Sequence, residues 1–391
     1  MEKTSYTSDD MLVNADLHIH SPFSIGTSRS MDLPRIRKTC ARKGIQVLGS
    51  GDGFHPIWRK HCRSFEEIPN FLLIPSVEVE DLNRIHHLIL LEEFTTCADL
   101  VEIFRLKCAH ITTSGRPHII ATGEEIAREV HARDGLIGPA HAFTPWTSLF
   151  ARFSHVKECY GDEPIDFLEL GLSADSSYAE RIPDLGQTPF LSNSDAHGPG
   201  TDKIGREWNQ LEVSDMTVQA VLESISRGRI LYNAGFFPEV GKYNRTACSR
   251  CYRQFSFEDA VSYSWRCPDD RGFLKKGVSD RVKELSGNNS SLFTRPPYHH
   301  IVPLEAIIQA VLGMSSPSTK RCQQLYELLL SHLGTEIEIL TKTPQSEICT
   351  IHHAVGRAIQ SLCAGEVKIQ PGGGGRYGSV FFDKEGLWDL P

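Results

Sequence analysis

The word Asp16-Leu17-His18-Ile19-His20 sets a carboxylate and two imidazoles at alternate positions of the apolar run LVNADLHI. Strand side chains alternate between faces, so Asp16, His18 and His20 share one face while Leu17 and Ile19 enter the wall. The pattern recurs in Ser194-Asp195-Ala196-His197, where an acid and an imidazole again share a face. Between these words stand Asp52 and His55 in GDGFH, Glu78 after FLLIPSV, the pair His86-His87 inside RIHHLILL, and His141 after LIGPA. Imidazole paired with carboxylate is ligand chemistry for zinc, manganese or iron. HxH or DxH alone is a weak signal; recurrence at strand ends is what carries the expectation of a polynuclear metal site. For His61, His110, His118, His131, His155 and the pairs His299-His300 and His352-His353, a hydrogen-bonded surface or core role is expected instead.

Elements that gather such residues are visible in the pattern. IQVLGSGD, FLLIPSVEV, RIHHLILL, LIGPAH, FLELGL, PFLSNSD and RILYN join LVNADLHI as expected strands, and Leu33–Lys43, Glu124–Arg133 and Thr217–Arg227 read as helices. This βαβ rhythm predicts an α/β fold with a largely parallel sheet or barrel, whose strand ends meet at one mouth. Beyond about residue 243 the rhythm stops. A segment rich in Cys, Arg and aromatics (244–285) reads as a small module, and a polar stretch, SGNNSS at Ser286–Ser291, reads as a linker. Leu304–Leu312, Arg321–Leu333 and Ser346–Leu362 then predict a helical C-terminal domain (286–391) that ends in a flexible glycine turn, PGGGG, and a short strand. No GK[ST] follows those glycines, so they form no phosphate-binding Walker loop.

Composition bounds the rest. The 391 residues carry 23% charged and 40% hydrophobic side chains, a globular balance that excludes a mostly disordered chain or a coiled coil. No apolar run reaches membrane-spanning length. The start, MEKTSYTSDD, lacks the basic-then-apolar pattern of an export signal, so an intracellular (cytoplasmic) setting is expected. The eleven cysteines are an odd, scattered set, which favours reduced thiols over a disulfide scaffold. A net charge of −8 does not advertise a polyanion partner but does not forbid a local basic stripe.

The order HxH, Asp/His, Glu, His, His, DxH resembles the polymerase-and-histidinol-phosphatase (PHP) family. Further words, GSGDGFHPIW, GPAHAFTPW, LELGLSADSS, SNSDAHGPG, GREWN, FFPEVGKY and RPPY, more narrowly resemble endonuclease Q, from about Ala15 to Tyr377. The resemblance implies a distorted seven-stranded β/α barrel (residues 1–243) with divalent ions, zinc foremost and magnesium or manganese as activators. It implies hydrolysis of the DNA phosphodiester 5′ of a deaminated base (hypoxanthine, uracil or xanthine) or an abasic site. Its metal ligands fall on His18, His20, His55, Glu78, His141, Asp195 and His197, with Asp52 joining them. One histidine of the IHHL strand completes the set: likeness to the polymerase domains favours His87, the preferred choice, and likeness to the phosphatases selects His86. Strand neighbours face opposite ways, so only one easily reaches the metals. Metal-activated water is then the nucleophile, with His141 and His197 as alternative proton carriers. The lesion would be extruded into a pocket.

Cys248-Ser249-Arg250-Cys251 followed by Cys267 has zinc-ribbon spacing. Where endonuclease Q relatives complete the site with CPxC, this chain has Cys267-Pro268-Asp269-Asp270, so Asp270 takes the fourth position. A harder oxygen weakens a thiolate site, yet three cysteines and one oxygen complete a tetrahedron. Arg29, Lys203 and Arg206 are candidate DNA phosphate contacts, being close in sequence to the metal words. No clamp-binding peptide is read near Phe381-Phe382, because the spacing to a preceding glutamine is wrong. Two competing functions share the cluster, a small-molecule phosphoesterase and a catalytically decayed DNA-binding protein.

Overall fold

β1 (Met11–Asp16) lies between β2 (Val47–Gly49), its parallel partner, and β9 (Trp208–Val213), which runs antiparallel to it. The computed structural model describes residues 10–64, 69–287 and 293–382, with the backbone of 386–389. Adding β3 (Leu72–Ile74), β10 (Ile230–Gly235) and β13 (Tyr298–His300) makes one six-stranded sheet in the order β13-β10-β9-β1-β2-β3. Helix Leu33–Lys43, which connects β1 to β2, begins at Asp32, whose carboxylate accepts from Arg35 N, and ends on Gly44 at φ +90°. A Cβ on Gly44 would sit 2.6 Å from Thr335 Oγ1, so glycine serves both the left-handed turn and the close approach of the C-terminal helices.

Pro75 divides FLLIPSVEV. Its first half is β3, and its second half, β4 (Ser76–Glu80), leaves for another sheet with β5 (His86–Leu90) and β6 (Leu136–Pro139). That sheet is antiparallel throughout, which corrects the expectation of a largely parallel arrangement. The turn Asp81–Ile85 is too short for a crossover, and Asp81 closes it by accepting from Asn83 N and Ile85 N, both at 2.8 Å. β7 (Leu168–Glu169) and β8 (Phe190–Leu191) form a parallel pair. The molecule is thus an α/β fold whose strands are shared among separate sheets. Its largest core spans these sheets and their helices.

A second core lies in the C-terminal helices, where Phe236, Phe237 and Val240 pack against Leu304, Ile307, Tyr326, Ile339 and Val355. Between the cores, Lys43 Nζ donates to Glu336 Oε1 at 2.8 Å with both side chains 1% exposed, while Tyr326 Oη donates to Glu336 Oε2 at 2.7 Å. The expected helix over 346–362 is two helices, Gln345–Ile351 and His353–Cys363, because His352 takes an extended conformation and accepts from Val355 N. Residues 288–291 of the expected linker lie outside the described residues. The glycine turn is packed rather than loose: a Cβ on Gly374, at φ +67°, would meet Cys248 O at 2.2 Å. No helix among the described residues is long and apolar enough to cross a membrane.

Candidate metal centre

Backbone pairing explains why HxH meets DxH. Past β1 the chain continues extended, His20 N donates to Ala196 O at 2.9 Å, and Ile19 bridges Ala196 in parallel. Leu17 and Ile19 are buried in the wall, as alternation requires. His18, His20 and Asp195 then converge, with one ligand atom from each within 4.8 Å of the others. His20 Nε2 lies 3.1 Å from Asp195 Oδ1 and 3.3 Å from Glu78 Oε2. Asp16 shares their strand face but is spent on the backbone, accepting from Ser194 N and Gly205 N. Its complete burial outweighs those bonds and raises its carboxyl to about 6.

Glu78, His86 and His141 form a second converging group. Glu78 Oε1 lies 2.8 Å from His86 Nδ1 and 2.9 Å from His141 Nε2, while its Oε2 faces His20 and Arg116 Nη1, the latter at 3.1 Å. One carboxylate therefore looks into both groups. The strand register decides which histidine takes part. Glu78 pairs with Leu88 and Glu80 with His86, so these four share a face, whereas His87 pairs with Val79 on the opposite face. The preference for His87 is corrected accordingly: His86 faces the centre, and His87 turns toward Asp81, Cys159 and Tyr160.

Supporting carboxylates hold both imidazoles of HxH. Glu169 takes His18 Nδ1 at 3.0 Å and accepts from His141 N and Asn193 Nδ2. Asp52 takes His20 Nδ1 at 3.2 Å and accepts from Ser21 N and Ser24 Oγ. Each ring thus directs Nε2 inward. His18 Nε2, His20 Nε2 and Asp195 Oδ1 are buried without a hydrogen bond among the described residues. Buried acceptors turned on one another in this way fit divalent cations, with an outer carboxylate fixing each tautomer. Burial works against charge on His18, but Glu169, Glu78 and Asp195 outweigh it and lift the metal-free imidazole to about 9. Asp52, His141 and Asp195 adopt left-handed backbone at φ +48°, +31° and +47°, a strained conformation for non-glycine residues that concentrates at functional sites.

The remaining expected residues sit elsewhere. Asp52 is a support for His20, not one of the converging donors. His55 caps helix Pro56–Arg63 and stacks on Phe23 with ring centroids 3.6 Å apart. His197 borders the centre, its ring 4.5 Å from that of His20 and its Nδ1 2.9 Å from Asp195 O; burial lowers its pKa below the ordinary imidazole value. Arg29 is exposed and Lys203 pairs with Asp202. Arg206 is buried, and its Nε donates to Ser194 O at 2.8 Å, so it braces the Asp195 segment instead of offering a surface cation. Sequence reasoning missed Glu169 and Arg116. An acid inside the apolar run FLELGL was the available signal for Glu169; Arg116 comes from a loop with no pattern.

In the cysteine segment, Cys248, Cys251, Cys267 and Asp270 bring donor atoms within 4.8 Å of one another, around the pair β11 (Ala247–Cys248) and β12 (Leu274–Lys275). Asp270 Oδ1 is 3.3 Å from Cys248 Sγ, and Cys251 Sγ is 3.7 Å from Cys267 Sγ. Nearby, a cleft of about 550 Å³ opens between the loop after His141 and this segment. Phe143, Trp146, Tyr243, Lys275, Lys276 and Arg281 line it. Lys275 Nζ lies 4.7 Å from the Trp146 ring centre, and Trp146 is 52% exposed with φ +82°.

Residues 303–366 match the family described as the MJ0043 C-terminal domain. The chain is 42% identical over 248 residues to the uncharacterized protein MJ0043 of Methanocaldococcus jannaschii, covering 62% of this chain but 31% of that one, so it spans about a third of that relative. Among solved structures, it superposes on the lesion-specific endonuclease PfuEndoQ from Pyrococcus furiosus with a TM-score of 0.91 and 41% identity, covering 95% of each chain. It also superposes on endonuclease Q in complex with a 27-mer duplex substrate bearing an abasic lesion at the active site, with a TM-score of 0.90, 41% identity, and 95% and 96% of the two chains covered.

Proposed function

Because the chain belongs to the endonuclease Q family, we propose that it is a metal-dependent hydrolase that nicks duplex DNA on the 5′ side of a damaged nucleotide. The observation that carries this reading is Glu78, a buried carboxylate with one oxygen toward His86 and His141 and the other toward His20 and Arg116. His18, His20 and Asp195 would hold one ion and Glu78, His86 and His141 a second. Divalent ions there would supply a water of lowered pKa and neutralise charge on the scissile phosphate. Glu169 and Asp52 keep the imidazoles aimed inward. Arg116, 30% exposed at the rim, binds a phosphate oxygen, and His197, whose Nδ1 donates to Asp195 O, accepts a proton at Nε2. Zinc is the resident ion and magnesium or manganese supports turnover.

The separate sheets are segments of a distorted PHP barrel over residues 1–243, followed by a zinc-ribbon-like module (244–285) and a helical domain (286–391). Cys248, Cys251, Cys267 and Asp270 hold a structural zinc, favoured by three thiols and one carboxylate at ligand spacing. Uracil, hypoxanthine, xanthine and abasic nucleotides are the lesions. Aromatic rings beside lysines in the cleft suit an unstacked strand, by ring stacking and phosphate pairing. Arg29 and Lys203 serve as outer phosphate contacts.

The test is to incubate the full chain and manganese with end-labelled duplexes carrying one uracil, one hypoxanthine or one abasic site, beside undamaged duplex. A nick at the 5′ side of the lesion is expected. Cutting of undamaged DNA at the same rate, or phosphate release from small monoesters only, overturns the reading.

A further inference from the structure

On the face of β5 turned away from Glu78, three donors from separate segments meet in the interior. Asp81 follows β4, His87 lies on β5, and Cys159 belongs to helix Lys157–Tyr160; Asp81 and His87 are 0% exposed and Cys159 4%. Their ligand atoms lie within 4.8 Å of one another, with Asp81 Oδ2 at 3.4 Å from His87 Nε2 and 4.0 Å from Cys159 Sγ. We propose that Asp81, His87 and Cys159 form a buried structural zinc site that ties helix Lys157–Tyr160 to β5 and fixes the strand face that presents His86.

Three features point to a cation rather than to a hydrogen-bonded relay. Tyr160 Oη lies 2.6 Å from His87 Nδ1, which engages that nitrogen and turns Nε2 toward the acid and the thiol. Nε2 makes no hydrogen bond among the described residues, and a relay would bring it closer to Asp81 than 3.4 Å. Asp81 Oδ1 is saturated by the amides of Asn83 and Ile85, which leaves Oδ2 for the cluster. Tetrahedral zinc, with bonds of about 2.0 Å to nitrogen and oxygen and about 2.3 Å to sulfur, spaces its donors roughly 3.3–3.7 Å apart. A small inward movement of Cys159 closes the set. Gly123 packs directly against the cluster: a Cβ there would stand 2.7 Å from Cys159 Sγ and 3.0 Å from His87 Cε1, so only glycine fits beside these donors. Thiolate with imidazole selects zinc over magnesium or calcium.

The test is diffraction from crystals of the full chain grown with zinc, recorded on both sides of the zinc absorption edge. An anomalous peak bounded by Asp81 Oδ2, His87 Nε2 and Cys159 Sγ is expected, resolved from any peak at His18, His20 and Asp195. Its absence overturns the proposal whatever the catalytic centre shows. In solution, Cys159→Ala is expected to lose about one zinc per chain by elemental analysis. Unchanged zinc content in a folded Cys159→Ala protein likewise overturns it.

Discussion

His20 Nε2 and Asp195 Oδ1 stand 3.1 Å apart, both atoms shielded from solvent, and neither makes a hydrogen bond among the described residues. Two acceptors held this close are placed for a shared cation. His20→Ala and Asp195→Asn are each expected to lower nicking by about two to three orders of magnitude while the fold is retained. Circular dichroism beside the gel assay separates the two effects. A folded variant with full activity contradicts the assignment.

Glu169 reaches the centre only through His18 and the His141 amide. Glu169→Gln keeps the shape but weakens the tautomer control, and a fall in metal affinity of about 10- to 100-fold is expected. A metal titration of the chelator-treated protein checks this, with unchanged affinity as the contrary result.

Metal loading depends on pH through His18. Its metal-free imidazole titrates at about 9, and a cation requires the unprotonated Nε2. Binding therefore expels a proton below that pH, and apparent affinity rises from pH 6 toward 9. Calorimetry in buffers of different ionisation enthalpy counts the protons; affinity independent of pH contradicts the pairing.

Strand ends announced most of the centre, because alternation and the HxH and DxH words survive without a fold. What sequence could not decide was pairing. The choice between His86 and His87 rests on Glu80 facing His86 across the antiparallel pair, a register set by the Asp81 turn. Asp52 carried the same signal as a ligand, yet Ser21, Ser24 and His20 surround it and make it a support. β9 was missed because it is buried on both faces and still carries Asn209 and Gln210, which hydrogen-bond to Asn14, Asn193 and Asn233 and break the apolar pattern. Helix Leu33–Lys43 and helix Leu304–Leu312 were legible to the residue, since a cap and a closing glycine bound the first and a proline and a glycine the second.

Glu207 is fully buried, accepts from Phe236 N through Oε1, and leaves Oε2 without a partner among the described residues. Burial raises its pKa well above the usual carboxylate range, with Glu169 and Asp16 adding to the rise. The folded state then binds a proton that the unfolded chain releases near pH 4.5, so this group costs stability as pH rises from there toward the folded pKa. Glu207→Gln is expected to raise Tm at pH 8, with the gain shrinking toward pH 4. An equal Tm difference at both pH values contradicts the burial account.

Lys43 and Glu336 join the two cores from 1% exposure on each side. Glu336→Ala strands the ammonium and frees the Tyr326 hydroxyl, and a loss of about 3–5 kcal/mol is expected in chemical unfolding. A loss below about 1 kcal/mol would place the pair among exposed salt bridges.

The most direct measurement is nicking of an abasic-site duplex by protein stripped with chelator, then titrated with manganese. Activity should be absent in chelator and return as the ion is added, in parent protein but not in Glu78→Ala. Undiminished nicking in excess chelator would contradict a reaction that depends on cations gathered by these side chains.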